Sequence, residues 1–133
     1  MNKFVLAIDD NPERYGDLAA KFRQIGVTIL PAQNPEAVRM LLSSGLDIRM
    51  VILDHDMPAV DFEGNVSDEW DGMYYLREVL PVTIPVVVSS ANMACRPIMI
   101  DIGKEYGFNI TPISVVWRGY TQMIYDHYIT NCG

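Results

Sequence analysis

Two acidic pairs, each placed where an apolar run ends, are the residues of this sequence best suited to chemistry. Asp9 and Asp10 follow "FVLAI", and Asp54 and Asp56 follow "MVIL". Carboxylates brought close together repel and raise one another's pKa unless a cation compensates their charge. Mg²⁺, or Mn²⁺ in its place, prefers such oxygen ligands, and a phosphate oxygen can complete its coordination shell. The pairs therefore predict a divalent-metal, phosphoryl-handling site, provided that the fold brings them together.

Five short runs rich in β-branched residues predict strands that alternate with helices. The runs are "FVLAI" (4–8), "VTIL" (27–30), "MVIL" (50–53), "PVVV" (85–88) and "ISVV" (113–116). The helices between them are predicted to start at the N-caps Asn11 and Asn34 and, further along, to cover about 72–80, 96–106 and 119–129. This alternation predicts a doubly wound α/β domain, in which a five-stranded parallel sheet has helices on both faces.

The predicted strand ends bring the acidic pairs to one edge of the sheet. Ligands of doubly wound domains bind outside the carboxyl ends of the strands, and in the strand order 2-1-3-4-5 the first and third strands are neighbours. Ser89 and Ser90 end the fourth strand at the same edge. We therefore expect the metal ligands to be Asp9, Asp10, Asp54 and Asp56.

Composition describes a single acidic domain. The length of 133 residues suits one domain over 1–133. The formal net charge of -7 disfavours general nucleic-acid binding, which draws its affinity from Lys and Arg. We expect no membrane span, because no apolar run approaches roughly 18 residues. A cytoplasmic location is the corresponding prediction.

The polar stretch "AVDFEGNVSDEW" (59–70) interrupts the alternation after the third strand. It shows neither helical nor strand periodicity, so we expect a long acidic loop. Phe62 and Trp70 lie within it, and exposed aromatic residues often anchor interfaces. An active-site lid, a loop that binds a protein partner and a merely solvated surface are the alternatives for this insert.

The order of these motifs resembles the receiver domain of two-component response regulators over essentially the whole chain. The motifs are "IDD" after the first strand, "DHDMP" after the third, "DG" at the start of the next helix and a hydroxyl residue after the fourth. The resemblance implies a flavodoxin-like receiver fold in which Asp9 and Asp10 help to hold Mg²⁺. It also implies that Asp54 is the phosphoacceptor, that Asp56 offers a backbone carbonyl to the metal and that Ser90 touches the phosphoryl group.

Three departures from the receiver pattern bear on function. Receivers place a lysine after the fifth strand, whereas this chain has Trp117 and Arg118 there, and Arg118 is the candidate for the missing cation. The aromatic switch residue of the fifth strand has no counterpart, since Ser114 falls near its place. The insert 59–70 stands where receivers have a turn of about two residues.

A second, narrower resemblance is to the cyclic-phosphate processing receivers, through the "LDHD" quartet, the early "DD" and the absent lysine. It implies a metal-dependent phosphoesterase in which water attacks a cyclic phosphate, with His55 or Arg118 assisting. The first resemblance implies instead that Asp54 takes a phosphoryl group from a histidine kinase or a small phosphodonor. The third alternative, supported by the insert and the lost switch residue, is a degenerate receiver that serves as a protein-interaction module. Whether the chain is an enzyme stays open at this point.

Overall fold

The predicted α/β sheet is present and has the predicted strand order. The computed structural model describes residues 2–9, 11–54, 59–60, 66–67, 72–89, 95–113 and 118–133. The strands of the main sheet are β1 (Lys3–Ile8), β2 (Val27–Ala32), β3 (Ile48–Leu53), β4 (Val86–Val88) and β5 (Ile110–Pro112). Neighbouring strands pair in parallel in the order β2-β1-β3-β4-β5. The doubly wound architecture with order 2-1-3-4-5 is therefore confirmed.

Helices connect the strands and cover both faces of the sheet. They are α1 (Gly16–Arg23), α2 (Pro35–Ser43), α3 (Gly72–Tyr74), α4 (Cys95–Glu105) and α5 (Tyr120–Asn131). A 3-10 turn, Pro12–Tyr15, precedes α1, and a π-helical segment, Tyr75–Val79, continues α3. In the described part of the chain, no helix combines the length and the apolar character that crossing a membrane requires.

The side chains of β1 alternate between two apolar cores, one on each face of the sheet. Val5 and Ala7 pack into the core that α1 and α5 cover. Leu6 and Ile8 pack into the core on the opposite face, under α2, α3 and α4. Because successive strand residues point to opposite faces and both faces are covered, β1 is apolar along its whole buried length.

The register of the central strands sets the level at which the polar residues leave the sheet. Ile8 of β1 stands opposite Leu53 of β3. The Asp54 N–H donates to the Ile8 carbonyl oxygen at 3.1 Å, and the Ser89 N–H donates to the Leu53 carbonyl oxygen at 3.0 Å. Asp9, Asp54 and Ser89 therefore follow three adjacent strands side by side at the carboxyl edge.

The fifth strand lies earlier in the chain than predicted. We expected it at 113–116, but β5 is Ile110–Pro112, and residues 114–117 lie outside the described residues. Pro112 is tolerated because β5 is an edge strand, where a missing N–H breaks no ladder hydrogen bond. Arg118 consequently comes six residues after the last residue of β5, not two residues after a strand ending at 116.

The insert after β3 contains a hairpin where we predicted a loop without secondary structure. Ala59–Val60 pairs antiparallel with Val66–Ser67, and Val60 stands opposite Val66. Phe62 and Trp70, on which partner binding by the insert rests, lie outside the described residues, so that role stays a prediction.

Candidate functional site

Asp9 is the buried centre of the carboxyl edge. Only 1% of its surface is exposed. Its Oδ1 accepts a hydrogen bond from the Asn11 N–H at 2.9 Å, and its Oδ2 accepts one from the Tyr15 hydroxyl at 2.8 Å. Short aspartate side chains commonly bind a backbone N–H two residues on, as here.

The role of Asn11 differs from the one we predicted. We expected the Asn11 side chain to cap the first helix, in which case the Asp9 carboxylate would not be needed for local hydrogen bonding. Asn11 does precede the 3-10 turn Pro12–Tyr15, but its side chain makes no capping hydrogen bond. The backbone N–H of Asn11 instead binds Asp9. Asp9 thus has a local structural role in addition to any chemical one.

Arg14 lies between the carboxylates of Asp9 and Asp54. Its Nη1 is 3.3 Å from Asp9 Oδ2 and 3.9 Å from Asp54 Oδ2. Asp54 is buried, with 4% of its surface exposed, whereas 22% of the Arg14 side chain is exposed. Buried carboxylates are tolerated when they are paired. The guanidinium supplies that pairing and belongs to a side chain that is more exposed than either carboxylate.

Tyr15 joins β1 to β4 through side chains. Its hydroxyl oxygen is 2.8 Å from Asp9 Oδ2 and 2.7 Å from Ser89 Oγ. A phenol carries one proton, so a Tyr15 that donates to Asp9 accepts from the Ser89 hydroxyl. The three side chains form a buried chain of hydrogen bonds from Ser89 through Tyr15 to Asp9.

Burial and charge shift the protonation of this chain of side chains. Burial raises the pKa of Asp9 from 3.8 to about 6, and the negative charge of Asp54 adds to the rise. Hydrogen bonds from Asn11 and Tyr15 and the charge of Arg14 oppose it. Burial also raises the pKa of Tyr15, followed by the nearby charge of Asp9. Tyr15 therefore keeps its proton and remains a donor.

Helix α5 contacts the site through the backbone of the 3-10 turn. The hydroxyl of Tyr120, the first residue of α5, donates to the carbonyl oxygen of Arg14 at 2.7 Å. The Arg14 N–H in turn donates to the Asn11 carbonyl oxygen at 3.2 Å. The backbone of Arg14 is thereby held from both sides while its side chain reaches the two carboxylates.

The structure brings together two of the predicted site residues, Asp9 and Asp54. Arg118 is exposed and directly precedes Gly119 at the start of α5. Its role as the replacement for the missing lysine stays a prediction, and among the described residues Arg14 is a cation placed beside Asp54. The remaining predicted or considered site residues lie outside the described residues: Asp10, His55, Asp56, Ser90 and Ser114.

Arg14 and Tyr15 were missed by the sequence analysis. Both lie in "NPERY", which we interpreted as the N-cap and first turn of a regular helix. The available signal was a cation and a phenol within six residues of an aspartate at a strand end. It was overlooked because a 3-10 turn, not an α-helix, begins at Pro12.

The oxygen ligands at this edge suit a hard divalent cation. Asp9 and Asp54 are buried carboxylates on adjacent strand ends, and the charge of Asp54 adds to the rise in the pKa of Asp9, which a cation would relieve. Across the described ranges, no three His, Cys, Asp or Glu side chains form a group that would hold a metal. Two of the four predicted ligands, Asp10 and Asp56, fall outside those ranges. Asp9 and Asp54 thus fit Mg²⁺, although they are only part of a coordination shell.

Comparison with known proteins identifies the fold. No protein-family model matches the chain, and no curated protein matches it. The structure of the phosphorylated cyanobacterial phytochrome response regulator RcpA is similar, with 15% identity, a TM-score of 0.69 and coverage of 100% of this chain and 97% of that one. The BeF3-activated receiver domain of Klebsiella pneumoniae RstA has 17% identity, a TM-score of 0.64 and coverage of 98% of both chains. A response regulator from Thermotoga maritima has 18% identity and a TM-score of 0.63, with coverage of 98% of this chain and 99% of that one. The protein therefore has the receiver fold that its motifs predicted.

Proposed function

We propose that this protein is a receiver-type signalling domain that accepts a phosphoryl group at Asp54, with Mg²⁺ or Mn²⁺ held by Asp9 and its neighbours. The observation that carries the proposal is the convergence of Asp9 and Asp54 on Arg14 at the carboxyl edge of the sheet. The receiver fold supports it, and one similar structure, RcpA, is that of a phosphorylated protein.

In the proposed reaction, a carboxylate oxygen of Asp54 attacks the phosphorus of the donor. The bond between phosphorus and the leaving group breaks, and the product is an aspartyl phosphate. The donor is a partner histidine kinase or a small acyl phosphate. A bound divalent ion supplies charge compensation for the phosphoryl oxygens.

The chain's own residues prepare this reaction by positioning and charge. The Asn11 N–H and the Tyr15 hydroxyl fix both oxygens of Asp9, so Asp9 presents a defined orientation toward a cation. Before a metal binds, Arg14 holds a positive charge 3.9 Å from Asp54 Oδ2 and compensates the charge of that buried carboxylate. The Asp54 N–H bond to Ile8 fixes the backbone that carries the acceptor.

The test is the mass of the intact protein after incubation with Mg²⁺ and acetyl phosphate. Wild type is expected to gain one phosphoryl group, and Asp54→Asn is expected to gain none. Asp47→Asn is the matched control, because Asp47 is also an aspartate paired with an arginine, Arg49 at 2.7 Å, but lies at the amino end of β3. If Asp47→Asn still gains mass, the loss of the mass gain in Asp54→Asn is due to Asp54 itself. No gain in wild type, or a gain retained in Asp54→Asn, contradicts the proposal.

A metal-dependent phosphoesterase acting on a cyclic phosphate is the second candidate. The "LDHD" quartet and the absence of a lysine after the fifth strand favour it, and in this reaction His55 or Arg118 would assist proton transfer while Asp9 helps to hold the metal. The water oxygen would bond to phosphorus, and one ring phosphorus–oxygen bond would break. Release of monoester from a nucleoside 2′,3′-cyclic phosphate, lost in Asp9→Asn and unaccompanied by a mass gain on Asp54, is the result expected for this candidate.

A further inference from the structure

A positive charge of the chain itself already lies where the proposed function requires a metal. Arg14 Nη1 is within 3.3 Å of Asp9 Oδ2 and 3.9 Å of Asp54 Oδ2. Both aspartates are buried, so little water can solvate their carboxylates and a cation is needed to compensate the negative charge. The guanidinium and a divalent ion would therefore bind the same carboxylate oxygens.

The two cations cannot both be close to these oxygens without repulsion. Mg²⁺ binds carboxylate oxygens at about 2.0–2.1 Å in a near-octahedral shell that usually retains several waters. Asp9 Oδ2 also accepts the Tyr15 hydroxyl, and its Oδ1 is bound to the Asn11 N–H. A metal ion that approaches Asp9 must therefore displace Arg14 or bear a like charge a few ångströms away.

The backbone of Arg14 is held by contacts that do not involve its side chain. The Arg14 carbonyl accepts from Tyr120 at 2.7 Å, and its N–H donates to the Asn11 carbonyl at 3.2 Å, so the backbone is fixed. The Arg14 side chain is 22% exposed, whereas the side chains of Asp9 and Asp54 are 1% and 6% exposed. Rotation of the side chain toward water would open the carboxylates to a metal while the 3-10 turn stays in place.

We infer that Arg14 is a built-in cation that competes with the divalent metal for Asp9 and Asp54, and so lowers the metal affinity of the site. The inference rests on the proposed function in one respect, namely that this site binds Mg²⁺. Arg14 acts on affinity as a competitor and is not itself a metal ligand.

The test is calorimetric titration with Mg²⁺ of wild type, Arg14→Gln, Arg14→Lys and Arg77→Gln. Gln removes the charge of Arg14 but keeps a polar side chain of similar reach, and Lys keeps the charge. Arg77 is exposed on the π-helical segment, so Arg77→Gln makes the same change in net charge away from the site. Arg14→Gln removes a positive charge that lies within 4 Å of both carboxylates, so we expect it to tighten Mg²⁺ binding about tenfold. Arg14→Lys and Arg77→Gln are expected to bind Mg²⁺ within about threefold of wild type.

The outcomes separate the inference from the proposed function. Equal or weaker Mg²⁺ binding by Arg14→Gln overturns the inference and leaves the proposed function standing. Binding by Arg14→Gln alone supports the inference and shows that the wild-type site excludes the metal at the concentrations used. Absence of binding in every variant overturns both.

A measurement on wild type covers the case in which Arg14→Gln does not fold. The side-chain Nε–Hε resonance of Arg14, followed by NMR during Mg²⁺ titration, is expected to shift and to exchange faster with water as the guanidinium leaves Asp9. The Arg49 resonance, from the pair with Asp47 at the other end of β3, is expected to stay unchanged. An Arg14 resonance that does not change as metal saturates the protein overturns the inference.

Discussion

Tyr15 donates a hydrogen bond to Asp9 across 2.8 Å, and each of the two residues is only 1% exposed. The bond joins the 3-10 turn before α1 to the end of β1. Because the same phenol oxygen is 2.7 Å from Ser89 Oγ, the bond also connects β1 to β4. A residue that the sequence analysis missed therefore organises the side chains of the carboxyl edge.

Tyr15→Phe is expected to lower the free energy of unfolding by about 1–3 kcal/mol, because it leaves buried polar groups of Asp9 and Ser89 without this partner. Denaturant unfolding measures the change. Tyr75→Phe is the matched control: Tyr75 is equally buried, and among the described residues its hydroxyl has no hydrogen-bond partner. Loss of the Tyr75 hydroxyl should change the free energy of unfolding little. Equal destabilisation by the two variants would show that the Tyr15 hydroxyl contributes nothing specific.

The free energy of unfolding of the metal-free protein should decrease as the pH rises from about 4 to about 6. Burial raises the pKa of Asp9 from 3.8 to about 6 in the folded chain, so the folded state holds the proton more tightly than the unfolded state does. The contribution of Asp9 to the free energy of unfolding is fully present below the pKa that Asp9 has in the unfolded chain. It is lost as the pH rises through the pKa that Asp9 has in the folded chain. Its size is on the order of 2–3 kcal/mol.

Urea unfolding across this pH range, in the presence of a chelator, tests the effect of Asp9. Asp9→Asn has no titrating group at this position, so its stability should lack the decline. Asp47→Asn should retain it, because the hydrogen bond from Arg49 lowers the pKa of Asp47 and so gives the opposite sign of pH dependence. A decline of equal size in wild type and Asp9→Asn would contradict the assignment.

Tyr120→Phe is expected to loosen the 3-10 turn that carries Arg14. The lost hydrogen bond to the Arg14 carbonyl oxygen, 2.7 Å long, should cost about 0.5–1.5 kcal/mol of unfolding free energy. Relative to wild type, amide hydrogen exchange should become faster at residues 13–15 and stay unchanged in β1. Tyr106→Phe, at an exposed tyrosine after α4, should change neither quantity. Unchanged exchange at residues 13–15 in Tyr120→Phe would mean that α5 does not hold the turn.

The two predicted N-caps should differ in energy although both are asparagines followed by proline. Asn34 Oδ1 accepts the Ala37 N–H at 2.8 Å, whereas the Asn11 side chain makes no capping bond. Asn34→Ala is therefore expected to cost about 0.5–2 kcal/mol and Asn11→Ala much less. Thermal or denaturant unfolding of the two variants compares them directly. A larger loss in Asn11→Ala would contradict the hydrogen-bond assignment.

The strand order and the meeting of Asp9 with Asp54 were predictable from the sequence because both depend on long-range regularities. Strands alternate with helices, crossovers between parallel strands are right-handed, and residues after adjacent parallel strands leave at the same edge. The register of Ile8 with Leu53 realises that expectation. Such rules depend on the chain as a whole and tolerate errors of a few residues at each element.

The details of the site depended on local geometry that these rules do not determine. Whether Arg14 and Tyr15 reach back to Asp9 depends on the 3-10 turn at Pro12–Tyr15, and the sequence is equally compatible with an α-helical start. The fifth strand lies at Ile110–Pro112 and not at the predicted 113–116, because the β-branched run "ISVV" was followed while a strand that ends in a proline is acceptable at an edge. Both errors are choices between conformations that differ little in intrinsic free energy.

The proline in β5 also bears on how the sheet behaves toward other molecules. β5 and β2 are the two outer strands, and β2 carries a proline of its own, Pro31, opposite Ala7 of β1. Each proline removes a backbone donor that an added strand from another chain would use. Both edge strands of the main sheet are therefore poor templates for intermolecular β-pairing, which protects this apolar sheet from aggregation through its edges.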